Sequence, residues 1–169
     1  MHVRNVHERT LAARRTEVGA LIDSLATPRD ALWPHQSWPA MTFDRPLSVG
    51  AIGGQGPIRY RVEAYEPGQW VRFRFTAPRG FIGTHGYEVE SLAKTTTRLR
   101  HVLEMETSGL ATVAWPIVFR SLHDALIEDS LDRAERSLGL ESHSAHWSPW
   151  VRLLRWIMSG GTARTRSAE

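Results

Sequence analysis

The sequence predicts an α+β fold, one antiparallel sheet of about six to seven strands followed by a long C-terminal helix. Two observations carry this reading. From Leu47 to Ser108 most segments alternate apolar and charged residues, as a sheet with one face in water requires. After Pro116 the period changes, and apolar residues recur at helical spacing as far as Leu138. A chain of 169 residues, 41% hydrophobic and 23% charged, suits one globular domain with length left for an appendage.

Taken in order, residues 2–11 (HVRNVHERTL) read as the first strand. In RRTEVGALIDSL, Val18, Leu21, Ile22 and Leu25 share one helical face. Thr27 before Pro28 reads as an N-cap and first-turn proline, which predicts a second short helix at PRDALW (28–33). Pro34 and Pro39 break regular structure after it, and LSVGAIGG resumes extended chain. Ile58, Tyr60, Val62 and Ala64 then share a face opposite Arg59, Arg61 and Glu63. EPGQ (66–69) is a hairpin turn, since proline presets φ and glycine supplies the positive φ. Val71, Phe73 and Phe75 point inward, with Arg72 and Arg74 outward. In GFIGTHGYEVESL the inward set is Phe81, Gly83, His85, Tyr87 and Val89; in the next strand it is Leu99, His101, Leu103 and Met105. The outward positions mix arginine with glutamate, as cross-strand ion pairs require. The long helix carries Phe119, Leu122, Leu126, Leu131, Ala134 and Leu138 on one stripe, and Gly139 is its stop.

Composition narrows the function. There is no cysteine, so disulfide frameworks and thiolate metal sites are excluded, and the reading is of a cytoplasmic protein. The N-terminus lacks the apolar run of a signal peptide, and no window reaches the roughly 20 apolar residues of a membrane span. Lys94 is the one lysine among 21 basic residues, the net charge is +3, and basic and acidic residues are interleaved. A basic nucleic-acid face is therefore not expected.

Four stretches stand out in order and spacing: LAARRTEVGALI, Gly50, VEAYEPG (62–68) and the helix after SGLATVAWP, together covering roughly residues 2–139. In that order and spacing the chain resembles the SRPBCC superfamily of lipid-transfer, birch-pollen-allergen-like and polyketide cyclase/dehydrase-like proteins. The resemblance implies a helix-grip architecture, a curved sheet wrapped around the long helix with a ligand cavity between them. Residues 1–139 would form that domain, and 140–169 a linker, a short tryptophan-rich helix and a polar tail.

Within such a grip, His85, Tyr87, His101 and Met105 would line the cavity from adjacent strands, with His123 facing them from the helix. Tyr60, Phe73, Phe75, Phe81 and Phe119 complete the candidate ligand-binding set. Gly83 and Gly86 would let their strand bend around the helix. His85, Tyr87 and His101 are the candidates for acid–base chemistry, because imidazole titrates near neutrality and a phenol polarises a carbonyl. The alternative use of the same groups is to orient a bound molecule by hydrogen bonds. No cofactor is expected. No metal site is read either: the histidines at 2, 7, 35, 85, 101, 123, 143 and 146 are scattered, and no H-E-x-x-H or carboxylate set stands at ligand spacing. GAIGGQG (50–56) matches neither glycine fingerprint for phosphate.

Beyond residue 140, Ser148 and Pro149 open a short helix. Trp147, Trp150, Val151, Leu154, Ile157 and Met158 fall on one side, and Ser148, Arg152, Arg155 and Ser159 on the other. This helix is expected to dock on its own domain or on a second copy, giving a homodimer through 147–158; peripheral membrane contact is the alternative. The leading functional reading is binding of a small apolar or aromatic ligand. The others are a cyclase, aromatase or dehydratase of polyketide-like compounds, and an interaction module working through the C-terminal helix.

Overall fold

The computed structural model describes residues 1–142 and 146–158. His143, Ser159, Gly160 and the terminal TARTRSAE lie outside the described residues. The strands are β1 (His2–Leu11), β2 (Thr42–Phe43), β3 (Ile52–Gln55), β4 (Ile58–Glu66), β5 (Trp70–Ala77), β6 (Phe81–Ala93) and β7 (Thr96–Thr107). They form one antiparallel sheet in the order β1-β7-β6-β5-β4-β3-β2. The helices are α1 (Arg15–Asp23), α2 (Ala111–Ala114), α3 (Arg120–Ser137) and α4 (Pro149–Met158).

Most of the inward residues expected from alternation form the core; the exception is Ala64, because a register shift after Val62 sets it opposite the outward Arg72 and gives the inward place to Tyr65, opposite Val71. Tyr60, Val62, Val71, Phe73, Tyr87 and Leu99 are buried, and Val18, Leu21, Ile22 and Leu25 pack against them from α1 and the turn after it. On the outer face Arg100 reaches Glu88 and Arg98 reaches Glu90, both directly cross-strand. The 66–69 turn closes with Gln69 N–H donating to the Glu66 carbonyl, and Gly68 takes φ +69°. Asp23 at the end of α1 fastens that turn, accepting from Gly68 N–H and the Tyr65 hydroxyl. At Gly86 an added Cβ would lie 1.9 Å from the Val71 carbonyl oxygen, so glycine is what permits β6 to lie so close to β5 at this point.

Two further expectations need correction. Residues 28–33 form turns rather than a second short helix. Asp30 Oδ1 accepts the N–H groups of Leu32 and Trp33, and Oδ2 accepts that of Ala26. Local side-chain bonds thus replace helical ones, and Pro34 disfavours a helical Trp33. The long helical segment also begins earlier than Pro116. It runs from Ala111 through a π-helical turn at Trp115–Phe119 into α3. Pro116 has no N–H to give, and the ladder widens so that Arg120 N–H donates to the Trp115 carbonyl. A C-terminal cap at Gly139 (φ +71°) ends α3, with Leu140 N–H on the Glu135 carbonyl.

α4 packs across α3. Val151 and Leu154 are buried against Leu122, with Trp38, Val118, Ala125 and Trp147 around them. Among the described residues no helix is long and apolar enough to cross a membrane.

Candidate functional site

Between the sheet, α3 and α4 lies a cavity of about 1740 Å³. Its inner wall is aromatic. Phe81 meets Phe75, Trp115 and Phe119 edge-on, at centroid distances of 5.7, 5.9 and 5.1 Å. From α3 come Leu122, His123, Leu126 and Ile127, and from the sheet Ile58, Phe75, His85, His101 and Leu103. The mouth is built by residues 35–40, the 55–57 turn and the inner side of α4.

Three imidazoles cross the wall in a row. His85 and His101 stand with Nδ1 and Nε2 3.4 Å apart, and the His101 ring lies 5.1 Å from that of His123. His85 stacks on Phe75 at 4.8 Å and has Tyr60 at its edge at 4.9 Å. Burial, with a smaller push from His123, pulls His85 down to about 3. Burial likewise drives His101 well below the ordinary histidine range, with His123, His85 and His7 adding to it. His123 is lowered by burial against the pull of Asp124. All three are therefore neutral at pH 7. Four of their nitrogens are buried without a hydrogen-bond partner: His85 Nε2, His101 Nδ1 and both nitrogens of His123.

Six of the ten expected ligand-binding residues reach the cavity: Phe75, Phe81, His85, His101, Phe119 and His123. Tyr60, Phe73, Tyr87 and Met105 do not line it. They share the inward face but pack behind the wall, Tyr60 and Phe73 against His85 and Met105 beside Phe81 and Trp115. The Tyr87 hydroxyl is bound to Ser130 Oγ at 2.8 Å, and Ser130 in turn donates to the Leu32 carbonyl. Burial raises the phenol above its ordinary range. Of the candidate acid–base groups, His85 and His101 meet at the cavity, while Tyr87 is tied to α3.

Two groupings escaped the sequence reading. At the mouth, Asp129 Oδ2 accepts both the Trp38 and Trp147 indole N–H groups, at 2.7 and 2.9 Å. The Arg155 guanidinium lies 4.1 and 4.0 Å from those two rings and donates to the Ser37 carbonyl. Arg155 is thus on the inner side of α4, not opposite it. The helix starts at Pro149, so Trp147 precedes it, and the docked stripe is Val151, Leu154 and Arg155; Trp150 and Ile157 are exposed. The second grouping joins β1 to α3. His7 Nδ1 lies 2.7 Å from Glu128 and Nε2 3.1 Å from Asp124. Arg9 reaches Glu128, Asp132 and Glu135. Hydrogen bonds to Asp124 and Glu128 outweigh burial and raise His7 to about 9. The legible signal was the spacing: Asp124, Glu128, Asp132 and Glu135 fall on one helical face, and Asn5, His7 and Arg9 alternate on one strand face. Among the described residues, His7, His123 and Asp124 bring metal-ligating atoms within 4.8 Å of one another.

A curved sheet gripping a long helix around a lined cavity defines the helix-grip class, and the chain has that fold. No family model and no curated protein matches the chain. Solved structures do. A protein from Thermobifida fusca superposes with TM-score 0.62 at 18% identity, covering 86% of this chain and 98% of that one. A point mutant of norcoclaurine synthase from Thalictrum, in complex with a transition state analogue, gives 0.61 at 12% identity, covering 82% and 96%. Ara h 8.0201 gives 0.57 at 10% identity, covering 82% and 99%.

Proposed function

We propose that the protein binds a small, largely apolar aromatic molecule in the cavity, its inner end carrying a hydroxyl or carbonyl group. The observation that carries this is the set of unpartnered imidazole nitrogens in an otherwise aromatic wall. A buried polar atom without a partner costs about 1–3 kcal/mol, and a ligand oxygen at His85 Nε2 or His123 would remove that cost. The volume exceeds that of common ligand pockets, roughly 300–1,000 Å³, so a polycyclic molecule fits better than a single ring. Binding is favoured over turnover by the state of the candidate groups. Histidines held neutral well below pH 6 orient a ligand but do not exchange protons readily near neutrality. Tyr87 would have to leave Ser130 to reach a substrate. A cytoplasmic setting agrees with the cysteine-free chain.

The test is displacement of a hydrophobic fluorescent probe by planar aromatic compounds with and without a hydroxyl, alongside native mass spectrometry of the purified protein. His85→Leu should weaken the hydroxylated compound about tenfold, the worth of one hydrogen bond, and leave its deoxy analogue unchanged. Absence of probe binding, or equal loss for both compounds, overturns the reading.

A further inference from the structure

The ion-pair clamp between β1 and α3 explains His7, but it leaves His123 unexplained. Both ring nitrogens of His123 are buried and unpartnered, although Asp124 Oδ1 stands 3.6 Å from Nδ1, just beyond hydrogen-bond reach. That same oxygen is 3.1 Å from His7 Nε2. Two imidazole nitrogens thus converge on one carboxylate oxygen without closing on each other.

We propose that His7, His123 and Asp124 form a binding site for a divalent transition metal, zinc in the first instance. Three lines support it. The first is spacing: with metal–ligand bonds of about 2.0–2.1 Å, ligand atoms of a tetrahedral site lie about 3.3 Å apart, and the two observed edges fall on either side of that value. The second is donor chemistry. Two imidazoles and one carboxylate suit zinc and its neighbours and are a poor set for calcium or magnesium, which take oxygen ligands. The third is the surrounding support. Glu128 Oε1 holds His7 Nδ1 at 2.7 Å, which leaves Nε2 as the coordinating atom once the incoming ion displaces its proton to solvent, and Arg9 fixes the other Glu128 oxygen at 2.9 Å. Asn5 donates to Asp124 Oδ1 at 2.9 Å. A carboxylate behind a ligating histidine is the arrangement that orients metal-binding imidazoles.

Access and placement agree. Asp124 and Glu128 border a second, smaller cavity of about 300 Å³ between α3 and the segment leading into α4, which offers a route for an ion. His123 also lines the large cavity, so the metal would stand at its wall. Three protein ligands leave a fourth position for water or a ligand atom. The ligands come from positions 7, 123 and 124, which is why no local motif announces the site.

The test uses the full chain, stripped with chelator and titrated with Zn²⁺ by calorimetry and with Co²⁺ by visible absorption, in the absence of any organic ligand. One equivalent should bind with a Kd of about a micromolar or tighter, and Co²⁺ should give the intense bands of a low-coordinate site. His123→Gln should weaken binding about a hundredfold, and Glu128→Gln about tenfold. The metal-free melting temperature of His123→Gln should stay close to that of the parent, because neither ring nitrogen has a partner within hydrogen-bond distance. His2→Gln, on the exposed end of β1, should change nothing. Binding weaker than about 100 μM, or binding that survives His123→Gln, overturns the proposal. So does binding lost with His2→Gln instead.

Discussion

α3 and α4 invert the usual relation between polarity and burial. α3 buries Asp129, Ser130, Asp132 and Glu135, whereas α4 leaves Trp150, Leu153, Trp156, Ile157 and Met158 exposed. The difference lies in what each helix meets. Asp129 receives two indole N–H groups, Ser130 bridges Tyr87 and the Leu32 carbonyl, and Asp132 and Glu135 share Arg9. α4 buries only Val151 and Leu154, against Leu122 of α3, and lays Arg155 on the Trp38 and Trp147 rings. Burial follows from the partners that topology supplies, and hydropathy sets only the cost of lacking them.

The strongest way to break this contrast is to remove the partner of the buried acids. Arg9→Ala should destabilise the protein by about 3–5 kcal/mol in urea unfolding, because Asp132 and Glu135 are left buried without their cation. A loss below about 1 kcal/mol would mean that water reaches them, and the contrast with α4 would fall.

Apolar truncation comes next. Leu126→Ala on α3 should cost about 2–3 kcal/mol, near the low end for leucine because its side chain already borders the cavity. Leu154→Ala on α4 should cost about 2 kcal/mol if that helix is docked in solution as it is here, and nothing measurable if it is detached.

The pH dependence sharpens the comparison between paired and unpaired burial. The unfolded chain protonates His85 near 6.5, but the folded chain resists down to about 3. Stability is intact above pH 6.5 and is lost as pH falls through that window, by about 1.4 kcal/mol per pH unit for this group. Between pH 6.5 and pH 5 the wild type should therefore lose about 2 kcal/mol more than His85→Gln, measured by urea midpoints across the range. Parallel profiles would place His85 in water.

The smallest effects should come from the exposed side of α4. Leu153→Gln and Ile157→Gln should each change stability by no more than about 0.5 kcal/mol. If either also abolishes self-association or binding to anionic vesicles, that face serves a partner; if stability drops by more than about 1 kcal/mol, the helix lies deeper than it does here.

Much of the fold was legible because periodicity is a backbone property. Alternation in 58–62, 71–75, 81–89 and 99–105 named the inward residues, a bulge after Val62 broke the pattern at Ala64, and helical spacing in α1 named its buried face. The second short helix was misread because Thr27 and Pro28 carry start signals, while the bonds that overrule them come from Asp30 two residues later. The site was half legible. Period two put His85, His101, Tyr87 and Met105 on one face, but face is not depth. Which of them meet the cavity depends on where α3 crosses the sheet, and α3 crosses over Tyr87.

The sequence by itself determined the longer strands, the turn at 66–69, α1, the body of the long helix and most of the side chains that point inward. These rest on interactions between residues a few positions apart, or on the two-residue repeat of the pleat. Only the tertiary structure decided the rest. It brings His7 of β1 beside His123 and Asp124 of α3, sets two tryptophans and Arg155 at the cavity mouth, and separates the cavity-lining aromatics from the packed ones. The physical reason is that most of these contacts join residues far apart along the chain, where loop closure and packing govern the outcome and no local propensity encodes it.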